Sequence, residues 1–318
     1  MITVRSYEPG LKLRWNQFVQ RARNSHFIFE RDYLEYHADR FPEESLLFEN
    51  KKGLVAILPA HRTIDPTTGE KVLASHDGLT FGGLIVGPSM HQNLMNSVFE
   101  VMLQHLRNEN FQKLRYRAMP GIYSDHPGQE DLWCLHQQGA CVVDRKVASI
   151  MQISGQARSS KSFRKKTRSA KKLGVTIERW ENVEAFHDLL SCWLKDRHLA
   201  TPVHTAKELR LLYDRFTGEI VILAAKKDTE ILGAEMIFFT KNCVRLQYAV
   251  NTIKGLNLGI SPLILENIFA SLPLGKWIDL GTSMQPSGEL NESLHAFKES
   301  NGARTLLVDT YELPIPAR

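Results

Sequence analysis

The sequence predicts an α/β (α+β) protein written as two similar halves, each a mixed central β-sheet flanked by helices. Three observations lead there. The chain has 318 residues, more than one ordinary domain of roughly 150. Two blocks of sequence recur in the same order at a spacing of roughly half the chain. In both halves, apolar stripes with the helical period alternate with short β-rich runs.

The first half opens with a helix marked by Trp15, Phe18, Val19 and Ala22, an i, i+3, i+4, i+7 stripe. Residues 45–60, SLLFENKKGLVAILPA, read as two strands around a Lys-Lys-Gly turn. A helix over 91–107 follows, with Leu94, Val98, Val101, Met102 and His105 on one broad face. Residues 113–144 run from KLRYRAMP through a Pro/Gly turn into a helix that stops at Gly139, and then to CVVD. The second half repeats the plan. Helices over 182–198 and 206–216 precede 219–239, EIVILAAKKDTEILGAEMIFF, which has the same strand, Lys-Lys turn and strand. The strand CVRLQYAV leads to a helix whose start is marked by Ser261 as a cap and Pro262 as first residue. Residues 276–309 again read strand, turn, helix, Gly-Ala and strand, with Gly302 placed like Gly139 for a left-handed cap. Ser154, Gly155, Ser159 and Ser160 interrupt the pattern near 150–160, which sets domains at 1–155 and 156–318.

Composition narrows the function classes. A hydrophobic share of 43% and a charged share of 24% describe an ordinary globular chain with material for two cores. No apolar run approaches the roughly 18 residues of a membrane span, and the N-terminus lacks the pattern of a signal peptide. Cys134, Cys141, Cys192 and Cys243 are scattered without metal-ligand spacing, so a reducing cytoplasmic location is expected. The net charge is +5, yet the segment 158–172, RSSKSFRKKTRSAKK, holds eight basic residues and no acid. The remainder is therefore mildly acidic. Concentrated basicity on one helix suits an anionic partner at one place, such as phosphate or RNA, against the plainer reading of a solvated face.

Several polar residues stand out along the second half. His204, in the turn TPVHT, has the side chain that titrates near neutrality and can take a proton from an attacking ammonium. Tyr248 alternates with Val244, Leu246 and Val250, which places it on the apolar strand face, as a core residue or as a hydroxyl serving the leaving group. Gln247 faces the other way, toward an acceptor. Glu235 is an acid among apolar neighbours, either a buried base with a raised pKa or a solvent-facing residue. Lys298 follows Phe297 on a helix whose Leu290, Leu294 and Phe297 face the core, so it falls at the margin of that face. Ser283 and Asn291 are hydrogen-bonding candidates for the acceptor. His198 lies six residues before His204 but no third ligand is near, so no metal site is expected.

The run Lys254-Gly255-Leu256-Asn257-Leu258-Gly259, followed by Ile260 and Ser261, resembles the acyl-CoA pyrophosphate loop of the GNAT superfamily. It departs from that pattern in a lysine at the first position and an asparagine for the middle glycine. The stretch WIDLGTSMQPSGELNESLHAFKESNGARTLLVDTYEL is similar to the end of Fem-type aminoacyltransferases and related two-domain GNAT proteins. SFRKKTRSAKKLGVTIE is similar to their basic helix. TPVHT, QYAV and LNESLHAFKESNGAR also resemble a bacterial branch associated with surface polysaccharides. The resemblance spans about 150–313 and implies tandem GNAT-like domains. It implies an acyl group passed directly from acyl-CoA, a donor substrate and not a tightly bound cofactor, to an amine acceptor such as an amino sugar of a polysaccharide precursor. Lys298 would serve a phosphate or the developing charge, and backbone N–H groups at Tyr248–Val250 would hold the oxyanion. Two alternatives stay open: an aminoacyl-tRNA donor held by the 158–172 helix, and a catalytically silent RNA-binding protein.

Overall fold

The computed structural model describes residues 1–154, 160–198 and 200–316, so Arg158 and Ser159 of the basic run, with Gly155 of the expected boundary, lie outside it. The chain forms two compact units: Met1–Lys146 with Leu307–Arg318, and Val147–Leu306. The expected division into 1–155 and 156–318 is corrected in two ways. The chain leaves the first unit earlier, within a strand, and its last residues return there.

The first unit contains β1 (Thr3–Ser6), α1 (Lys12–Arg21), α2 (Arg31–Leu34), β2 (Leu46–Asn50), β3 (Gly53–Leu58), β4 (His61–Ile64), β5 (Lys71–Ala74), β6 (Ile85–Val86), α3 (Gln92–Asn108), β7 (Lys113–Arg117) and α4 (Glu130–Gln137). The hairpin expected over 45–60 is β2 and β3, central in a sheet ordered β1-β2-β3-β6. Trp15, Phe18, Val19 and Ala22 are buried as expected. On α3 the buried stripe is Met95, Val98, Phe99, Met102 and Leu106, so the face is turned toward Met95 and His105 sits at its edge. The sequence gives no periodic signal for β4 and β5, which are four residues each.

The second unit is built from β8 (Cys141–Gln152), whose later residues lie here, α5 (Lys161–Lys172), β9 (Thr176–Arg179), α6 (Val183–His198), α7 (Ala206–Arg215), β10 (Ile220–Lys227), β11 (Glu230–Phe239), β12 (Cys243–Asn251), α8 (Ile253–Leu258), α9 (Ile260–Ser271), β13 (Trp277–Thr282), α10 (Glu292–Ser300) and the start of β14 (Arg304–Pro314). Its strands run β8-β13-β12-β11-β10-β9, antiparallel except for β12 beside β13. One face carries α5 and α9 over a core of Phe163, Leu232, Ile237, Val244, Ile260, Ile264 and Ile278. Gly139 and Gly302 both have positive φ, 82° and 100°, where their helices stop.

The parallel sequence plan of the two halves hides an exchange. The final strand of each half serves the other unit: Gln152–Ala148 of β8 pairs with β13, and Thr310–Pro314 of β14 pairs with β7. Among the described residues, no helix is long and apolar enough to cross a membrane.

Candidate functional site

β12 and β13 are hydrogen-bonded over three residue pairs, Cys243–Arg245 against Trp277–Asp279. The ladder then stops, although β12 continues to Asn251 and β13 to Thr282. A parallel pair that parts in this way leaves backbone donors and acceptors of both strands available at its mouth.

A bulge in β12 decides what faces that mouth. Tyr248 stands opposite Met236 but Leu246 stands opposite Ile237, which leaves Gln247 as the extra residue. Val244 and Leu246 pack on the α5–α9 core. After the bulge the alternation reverses, so Tyr248 leaves that face, contrary to the sequence reading that grouped it with Val244 and Leu246. Arg245, opposite Phe238, lies on the same side as Tyr248.

There Tyr248 meets His204, which sits just before the capping box of α7 formed by Thr205 and Glu208. The phenol oxygen and His204 Nδ1 are 2.7 Å apart. Burial pushes the phenol up to about 12, against the opposing effects of the Gln247 amide and Arg245. A phenol that holds its proton so firmly is placed to donate it to Nδ1. The His204 carbonyl is tethered by His187 Nε2 at 3.1 Å. A cleft of about 420 Å³, lined by His187, Ser191, Lys195, Thr201 and Thr205 among others, has His204 in its wall.

Gln247 does not turn away from this group. Its Oε1 accepts from Arg245 Nε at 3.1 Å, and Arg245 is ion-paired with the buried Asp279. Asp279 Oδ1 accepts from the Gly281 N–H at 2.7 Å. Gly281 and Thr282 in turn offer their carbonyl oxygens to Lys298 Nζ, each at 2.9 Å. Arg245 and Asp279 thus join Tyr248 and Gln247 to Lys298. Neither was singled out from sequence; the conspicuous acid in the run WIDLG was the available signal.

Lys298 reverses the expected arrangement of its helix. It is buried, at 7% exposure, while Leu294 and Phe297, expected in the core, are 37% and 38% exposed. Burial pushes its ammonium down to about 8, with Asp279 opposing and Arg245 adding to the shift. Beside it on α10, His295 Nδ1 lies 3.3 Å from Ser149 Oγ, and Nε2 lies 3.2 Å from Thr305 Oγ1. Asn291 caps α10, accepting from the Leu294 N–H at 3.1 Å, and so is occupied structurally. Ser283 is fully buried and its Oγ has no partner among the described residues.

Glu235 stands apart. It is opposite Leu223 and Ala249 in the ladders, on the face of Ile237 and α9, whereas Tyr248 is on the other face. It is buried, and desolvation alone pushes its carboxyl up to about 8.

The segment 254–259 is not the loop expected from sequence. Thr252 caps it, accepting from the Gly255 N–H at 2.9 Å, and Ile253–Leu258 form the helix α8. A Cβ on Gly255 would lie 1.9 Å from the Leu232 carbonyl oxygen, so only glycine fits. Gly259, at φ 72°, makes the left-handed turn into α9, which begins at Ile260. Ser261 is therefore not the cap; its Oγ hydrogen-bonds with Asn251 at 3.0 Å. Lys254 is ion-paired with Glu230, and Asn257 is an α8 residue. The stem of Lys166 on α5 lies beside Gly259.

No family model matches the chain, and no curated protein matches it. Solved structures do. FemX is similar over 98% of this chain and 97% of its own, at 12% identity and a TM-score of 0.72. The C-terminal domain of a putative lysylphosphatidylglycerol synthetase from Agrobacterium fabrum is similar over 93% of this chain and 91% of its own, at 10% identity and 0.55. A tandem GNAT protein from the clavulanic acid biosynthesis pathway is similar over 100% and 99%, at 12% identity and 0.50. The chain has the Fem-like form of the GNAT fold, two GNAT-like units in tandem.

Proposed function

We propose that the chain is a transferase that moves an acyl group from acyl-CoA to an amine by direct attack, with the chemistry at the parted ends of β12 and β13. The observation that carries this reading is the buried ammonium of Lys298, fixed by two carbonyls at the end of β13 and joined through Asp279 and Arg245 to Gln247, beside the Tyr248–His204 pair. That pair moves one proton of the ammonium to the leaving group. The Tyr248 oxygen takes a proton from the attacking ammonium as its own passes to His204 Nδ1, giving a neutral amine and an imidazolium. The amine attacks the donor carbonyl, whose C–O π pair moves onto oxygen. Lys298 and N–H groups of β12 face that oxyanion. Its collapse breaks the bond to the leaving group, the proton returns from His204 through Tyr248 to the departing sulfur, and the second proton, carried on the attacking nitrogen into the intermediate, is released to solvent as the amide forms. Glu235 has no part in these steps. For the acceptor we propose an amino sugar of a surface-polysaccharide precursor, on the resemblance of TPVHT, QYAV and LNESLHAFKESNGAR.

A second reading has an aminoacyl-tRNA as donor. The likeness to a protein named as a lysylphosphatidylglycerol synthetase favours it, since that name describes transfer of an aminoacyl group. Thermal stability with acetyl-CoA, longer acyl-CoAs and charged transfer RNA separates the two. A ligand at a hundred times its dissociation constant stabilises by about 2.7 kcal/mol. A shift with acyl-CoA supports the first reading; a shift with charged transfer RNA alone replaces it with the second. With the donor in hand, Tyr248→Phe is expected to lower kcat by about a hundredfold or more with little change in KM. Unchanged kcat removes Tyr248 from the mechanism.

A further inference from the structure

The same unit carries a second surface, on the α5–α9 side of the sheet and not on that of Tyr248 and His204. α5 is amphipathic: Phe163, Thr167 and Ala170 face inward, and its lysines and arginines are exposed with no acid on the helix. Lys161, Lys165, Lys166, Arg168 and Lys172 have no ion pair among the described residues, while Lys171 is paired with Glu266. Alongside lies α8, pinned by the Thr252 N–H to the Leu232 carbonyl at 2.9 Å and by Gly255, pressed on that same carbonyl. With Gly255 turned inward, the helix holds Ile253 and Leu256, three residues apart, on its outer side. Ile253 is 74% exposed and Leu256 37%. Lys254 lies between them in sequence, paired with Glu230, and the Lys166 stem reaches the end of α8 at Gly259.

We propose that the α5–α8 surface docks the protein on an anionic membrane. A fixed apolar tip beside the unpaired cations of α5 has the chemistry of the bilayer interface, where isoleucine and leucine enter below the headgroups and lysines meet lipid phosphate. A nucleic acid would use the same cations but has no use for Ile253, which a short, firmly held helix keeps in water. The assignment is independent of the catalytic residues. It takes the α5 cations away from the transfer-RNA reading and places the enzyme beside acceptors carried on lipid.

The test is cosedimentation of the full chain with vesicles of phosphatidylcholine alone and of phosphatidylcholine with phosphatidylglycerol. Binding is expected to the anionic vesicles only, to fall about fivefold for each cation removed from Lys165 and Arg168, and to fall roughly tenfold in Ile253→Ser. Ile253→Trp should bind more tightly, which keeps the test informative if the serine variant melts early. Anionic vesicles bound no better than neutral ones overturn the proposal. So does binding that follows the cations but is indifferent to both Ile253 variants and is displaced by transfer RNA, since the surface then belongs to RNA.

Discussion

Two buried ionisable side chains report on the fold in opposite directions. The carboxyl of Glu235 has its pKa raised from 4.5 to about 8 by burial. Between those values the folded protein keeps a proton that the unfolded chain has released, so the contribution to stability is full below pH 4.5 and is lost as pH rises through about 8. Lys298 is lowered from 10.5 to about 8. In that window the unfolded chain holds the extra proton, so stability rises with pH. Denaturant unfolding across both windows should show Glu235→Gln flattening the lower slope alone and Lys298→Met the upper slope alone. If neither slope changes, the two groups are not desolvated in the folded state. Both residues were conspicuous in the sequence, one as an acid in LGAEMIFF and one after Phe297. Their surroundings were not legible there. Whether Glu235 shares a face with Tyr248 depends on a bulge, and Lys298 is drawn inward by carbonyls of Gly281 and Thr282 that are remote in sequence.

Elements with a strong period could be read directly, and those set by tertiary contact could not. α6 and α7 lie within a residue or two of the expected 182–198 and 206–216, and β10 and β11 occupy the expected hairpin. Gly and Asn in the run 254–259 usually mark a turn, so the sequence points to a loop where α8 forms. Its helical form depends on the fit of Gly255 against Leu232, which no local pattern announces. The bulge at Gln247 is hidden for the same reason: VRLQYAV alternates well enough to pass for a regular strand. Since one residue of register moves a side chain to the other face, inserting one alanine between Met236 and Ile237, which gives Gln247 a partner and closes the bulge, should return Tyr248 to the face of Leu246 and part it from His204. Activity should be abolished and stability reduced by about 2 kcal/mol or more, whereas Gln247→Ala, which keeps the residue count, should retain measurable activity. Equal activity in the insertion and the alanine variant would mean that the bulge does not position the site.

At the scale of the molecule, duplication was legible and the exchange of closing strands was not. Both halves have the same sequence plan, and nothing in CVVD or RTLLVD records that each strand completes the other half's sheet. The reason is physical: a strand carries its alternation of side chains but not the identity of its neighbour. The consequence can be tested at the chain's far end. Thr310–Pro314 of β14 pairs with Arg117–Lys113 of β7, and Leu313 and Ile315 belong to the first unit's core. Glu312 also binds Arg115, at 2.9 Å. A chain ending at Leu306 keeps almost all of the second unit's sequence, yet its damage should fall on the first. Loss of the ladder and of two buried apolar side chains should cost several kcal/mol there. Hydrogen exchange would read this as lost protection of β7 and β5, with β10 and β11 protected as before. Protection lost first in β10–β12 would mean that the closing strands are not exchanged between the halves.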